Sequence, residues 1–106
     1  MASTYGTVAD GTIPNGAGVS WTVPGGQSFI EGSLTLYNPN ALQQVVEFHV
    51  QRSGGSDRQL GLFTLAATGG SVVYGLPQLS TGDKITLIAD TTNNVVNFLI
   101  AGELIS

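Results

Sequence analysis

The chain has no cysteine, one histidine, one tryptophan and only three cations in 106 residues. Without cysteine there are no disulfides and no thiolate metal sites to reinforce a core; compartment is left open, because reduced proteins need none. A single His leaves no second imidazole or thiolate for a zinc centre. The cations are Arg52, Arg58 and Lys84, and the net charge is −4. A protein that tracks phosphates needs several Lys or Arg on one face, so nucleic acid is not an expected partner. No apolar run approaches the roughly 20 residues of a membrane span. The N-terminus lacks the basic and apolar regions of a secretory leader, so none is expected. There is no Asn-x-Ser/Thr acceptor for a glycan.

Charge is scarce altogether, at 9% of residues against about 25% in average soluble domains. A hydrophobic content of 42% is too high for a disordered chain. So few charges leave part of the surface to be covered by other subunits, and an oligomer is expected. The length suits one domain with one core.

Turn residues punctuate short apolar runs throughout. Residues 1–27 are rich in Gly, Thr, Pro and Asn, with one alternating run, Val19 to Val23. The expected division is an extended N-terminal arm over residues 1–18, reaching a neighbouring subunit, and a β-sandwich domain over 19–106. In 28–38, alternation puts Ile30, Leu34 and Leu36 on one face, and Asn38-Pro39-Asn40 is a turn. In 44–52, Val46, Phe48 and Val50 point inward while Glu47, His49 and Gln51 point outward. Ser53-Gly54-Gly55-Ser56-Asp57 closes a hairpin into 58–67, where parity switches between Leu60/Leu62 and Phe63/Leu65, predicting a bulge near Gly61. Runs at 71–76, 84–89 and 96–104 follow, separated by Thr68-Gly69-Gly70, Thr81-Gly82-Asp83 and Thr92-Asn93-Asn94. This pattern, without helical period, predicts an all-β domain of about seven or eight antiparallel strands, a β-sandwich or jelly roll. Val45, Ile88, Val95 and Leu99 fall on the outward parity and form the candidate subunit interface.

Chemistry is hard to find. His49 lies two positions from Glu47, as a base beside its orienting carboxylate would, but the same spacing is a polar pair on a solvated strand. No Ser occupies a Gly-x-Ser-x-Gly elbow, and no carboxylates follow calcium-loop spacing. Asp83 and Asp90 bracket a strand, about 20 Å apart at about 3.3 Å per residue, beyond the roughly 5–9.5 Å of a glycosidase pair. Asp83 after Gly82 is expected to bond a turn backbone. The Gly pairs precede strands and not helices, so they are turns and not phosphate cradles. No catalytic residue, cofactor or metal is expected. Trp21, Tyr37 and Tyr74 are the candidate aromatic surface of an alternative reading, a glycan- or receptor-binding accessory module.

Trp21-Thr22-Val23-Pro24-Gly25-Gly26, the Ile-x-x-x-Leu-x-Leu-x-Asn strand from Ile30 to Asn38, the Leu-x-x-Gly-Asp-x-Ile element from Leu79 to Ile85 and the closing Ala101-Gly102-Glu103-Leu104-Ile105 resemble one family. It comprises the small β-sandwich virion structural proteins of tailed bacteriophages, of the capsid decoration (cement) or neck and tail accessory type. Many of its members carry Lys after the Gly-Gly pair, where Gln27 stands here. The resemblance implies a non-enzymatic virion subunit assembled in the host cytoplasm, a homotrimer by analogy. It would contact the major capsid protein, or tail or neck subunits.

Overall fold

A computed structural model describes residues 3–14, 18–89 and 96–106; Asp90, Val95 and the expected turn at 92–94 lie outside them. The strands in chain order are β1 (Ser3–Ile13), β2 (Gly18–Thr22), β3 (Ser28–Asn38), β4 (Gln44–Gln51), β5 (Asp57–Leu65), β6 (Gly70–Gly75), β7 (Leu79–Ser80), β8 (Lys84–Ala89) and β9 (Val96–Ile105). They form two antiparallel sheets, β1-β9-β3-β6 with β7 paired to the start of β3, and β2-β8-β4-β5. Among the described residues there is no helix. Four pairings nest within one another: β4 with β5, β3 with β6, β2 with β8 and β1 with β9.

Period-two alternation explains the layering. Leu34, Leu36, Phe98 and Ile100 from the first sheet meet Val46, Phe48, Ile85 and Leu87 from the second in one buried cluster, each burial contributing roughly 1.5–3 kcal/mol. Edge-to-face rings cross between the sheets at both sides, Trp21 on Phe29 at 4.9 Å and Tyr74 on Phe63 at 5.1 Å. The expected bulge is present: register shifts between Phe48 and His49 so that Leu60 is skipped and Gly61 faces Phe48.

Two expectations are corrected. Residues 1–18 are not a free arm across their described part: β1 pairs with β9 from Ser3 to Ile13, and Ile13 is fully buried. Its backbone bonds supply a docking that its polar sequence does not display. Ile30 does not share the inward face of Leu34, because a bulge at Glu31-Gly32, with Glu31 at φ 52°, lets Phe29 point inward instead. The Phe29 ring lies against Gly32 and Gly102, and a Cβ on Gly102 would stand 2.5 Å from it. Glycine is required at both positions by that ring.

Each end of the sandwich has a buried polar side chain that ties its loops. At one end Asn38 donates from Nδ2 to the carbonyls of Leu42 (2.9 Å), Ala66 (3.0 Å) and Leu65 (3.3 Å), while its Oδ1 accepts from the Asn40 amide N–H (3.0 Å). At the other, Asp83 accepts from the Ser53 N–H on Oδ1, and from the Ser80 N–H and Arg52 Nη1 on Oδ2, all at 2.8–2.9 Å. Burial alone would raise this carboxyl, but the two backbone donors and Arg52 outweigh it and hold it below its ordinary value.

Candidate assembly surface

In a sandwich every second side chain leaves the core, and register then sets which of them meet. On the outer face of β2-β8-β4-β5 one row runs Gly18, Ile88, Glu47, Leu62 and the next Ser20, Thr86, His49, Gln59. Val45 stands two residues from Glu47, opposite Thr64. Val45 and Ile88 therefore share this face as expected, both half-buried. Leu62, 60% exposed, joins them beside Glu47. The parity switch at Gly61 carried the signal for Leu62: once Phe63 and Leu65 turn inward, Leu62 turns out.

Leu99 is on the other side of the molecule. It stands in a row of Asp10, Leu99, Thr35 and Val73 on the outer face of β1-β9-β3-β6. The candidate interface residues thus divide between two faces, with Val95 outside the described residues. Next to Leu99's row, Tyr37 lies between Asn97 and Ser71. Val73 is 71% and Tyr37 44% exposed, and Tyr37, Leu99, Thr12, Thr35 and Asn97 line a shallow groove of about 410 Å³. The aromatic trio is also divided. Trp21 packs on Phe29, and Tyr74 packs on Phe48 and Phe63, both against the core. Tyr37 alone of the three is on an outer face.

His49 has a second partner that sequence reading missed. Its Nε2 is 2.8 Å from Glu47 Oε1 and its Nδ1 2.7 Å from Asp57 Oδ2. Asp57 opens β5 opposite Gln51, one outward step from His49. The hairpin at 53–56 could have signalled this approach. Burial opposes charge on the ring, but hydrogen bonds and attraction from both carboxylates outweigh it and raise its pKa above 6.5. A general base needs a nitrogen open to a substrate proton; here each nitrogen faces a carboxylate. Among the described residues no group of three or more His, Asp or Glu is arranged to hold a metal ion.

A scan of protein-family models finds none that matches this chain, and a search of curated proteins returns no match.

Proposed function

We propose that this chain is a non-enzymatic structural subunit of a bacteriophage virion, a decoration subunit that stabilises the capsid shell by protein–protein contacts and self-associates as a trimer. The observation that carries the reading is large apolar side chains on both outer faces, Leu62 on one and Tyr37 and Val73 on the other, in a chain with 9% charged residues. Contiguous exposed apolar surface marks interaction sites. The nested strand pairing supports a jelly-roll reading, in which one long hairpin is rolled into two sheets. A subunit that binds the closed shell and not the open one makes opening costlier by linkage. The glycan-binding alternative loses two of its three rings to the core.

Two measurements test this. Native mass spectrometry across a concentration series should give a trimer, and Leu62→Asp with Val73→Asp should shift it toward monomer without unfolding it. Peptide quantification on purified virions should find the chain at a copy number in fixed ratio to the major capsid protein. A strict monomer that is also absent from particles would overturn the proposal.

A further inference from the structure

The cluster of Glu47, His49 and Asp57 joins two strands through one ring, and the ring's proton count decides how many bonds it makes. An imidazolium donates from both nitrogens; a neutral imidazole carries one N–H and presents a lone pair on the other side. Here both nitrogens point at carboxylate oxygens, at 2.7 and 2.8 Å. The His49 side chain is 12% exposed, while Glu47 and Asp57 are 33% and 49% exposed, so water reaches the carboxylates far more than the ring.

We propose that Glu47, His49 and Asp57 form a proton-operated latch on the β4–β5 hairpin. It is closed while the imidazole bridges both carboxylates and loses one strut when the ring gives its proton to water. The cluster then changes from one net negative charge to two, and one carboxylate faces a lone pair. From β8, Thr86 stands opposite His49, and Lys84 stands one row toward the hairpin, opposite Gln51. From β2, Ser20 is bonded to Thr86 at 2.9 Å, away from the ring. On β5, Arg58 pairs with buried Val50 on the opposite parity. Arg52 is engaged by Asp83. Lys84 is therefore the cation placed to soften the repulsion once the ring is neutral.

The folded ring holds its proton more tightly than the unfolded chain does. Its contribution is thus complete below the unfolded value of 6.5 and lost as pH rises through the folded midpoint. Each unit between the two midpoints is about a tenfold factor in the folding equilibrium. The chain has one His, so its ring resonances report this site alone in an NMR titration. The expected midpoint lies above 6.5, and Asp57→Asn and Glu47→Gln each lower it. The denaturant midpoint of the native chain should fall from about pH 6 to about pH 8.5, with amide exchange over residues 52–57 accelerating beyond its intrinsic pH dependence. His49→Gln should be less stable at the lower pH and lose the part of the slope that the ring supplies, any slope that remains being the terminal amine's. A His49 midpoint at or below 6.5, or a His49→Gln chain with the native pH slope, would overturn the latch. These tests use the isolated chain and so stand apart from the virion reading.

Discussion

The two ends of this sandwich solve one problem with different chemistry. Both must hold neighbouring chain connections together, and both do so with a short side chain buried to within a few per cent. Asn38 uses a neutral amide, donating to carbonyls of the β3–β4 and β5–β6 connections. Asp83 uses a carboxylate, accepting from N–H groups of the β4–β5 hairpin and the β7–β8 turn. An amide can donate and accept, and suits an end where carbonyls predominate. A carboxylate only accepts, and suits an end where the orphan groups are N–H donors. Charge also makes its bonds stronger and subject to pH, a liability that the Asn38 end does not share.

Removing each anchor breaks the comparison most directly. Asp83→Ala leaves the Ser53 and Ser80 N–H groups without their acceptor and Arg52 with the Gln78 carbonyl in place of an anion, and should cost about 3 kcal/mol in a urea titration. Asn38→Ala should cost less, about 2 kcal/mol, because its bonds join neutral groups and are weaker than those to a charged carboxylate. Equal losses would mean that charge adds nothing to the Asp83 end.

Both anchors lie where sequence is only half legible. Asn38-Pro39-Asn40 reads as a turn and Gly82-Asp83 as a backbone-bonded turn, and both are. That Asn38 reaches Leu65 and Ala66, or that Asp83 reaches Ser53, depends on loops that only the packed sandwich brings together. The same divide runs through the strands. Val46, Phe48, Ile85 and Leu87 announce themselves by alternation because one face is buried, and Val45 and Ile88 follow as the outward remainder. β1 does not, since only Ile13 of its eleven residues is buried and its backbone pairs leave no mark on side-chain pattern. Nor did the Glu31-Gly32 bulge, which depends on the room that Gly102, some 70 positions away, leaves for Phe29. For Val45, Ile88 and Leu99 parity revealed the outward face; which sheet each belongs to required the register, and so Leu99 parted from Val45 and Ile88.

Acid sharpens the contrast between the ends. Asp83's folded pKa is below its ordinary 3.8, so its stabilisation is complete above that value and lost as pH falls through the folded one. As pH falls from about 5 through the folded value, Ser53 and Ser80 should lose protection once the slower intrinsic exchange in acid is corrected for, while Gly69 and Gly70 at the Asn38 end keep theirs. The effect is smaller than deletion, since a protonated carboxyl still accepts on one oxygen. Together with the rise in His49, this gives the β4–β5 hairpin its full electrostatic support between the ordinary values of 3.8 and 6.5. Acid protection lost equally at both ends would show global unfolding and not release of one anchor.

The smallest effect separates the ion pair from the backbone bonds at Asp83. Arg52 Nη1 is 2.8 Å from Asp83 Oδ2, but the arginine side chain is 56% exposed, so water screens its charge and competes for its donors. With its cation this exposed, the pair should contribute little more than the roughly 0–1 kcal/mol of surface pairs, and Arg52 Nη1 also donates to the Gln78 carbonyl. Arg52→Met, which keeps much of the aliphatic stem, should therefore shift the urea midpoint by a small fraction of the Asp83→Ala loss. It should also leave the acid release of Ser53 and Ser80 nearly intact, because their N–H groups still require the carboxylate. If Arg52→Met instead matched Asp83→Ala, the cation and not the turn backbone would be what holds this carboxylate in place, and the end would be an ion pair with loops attached.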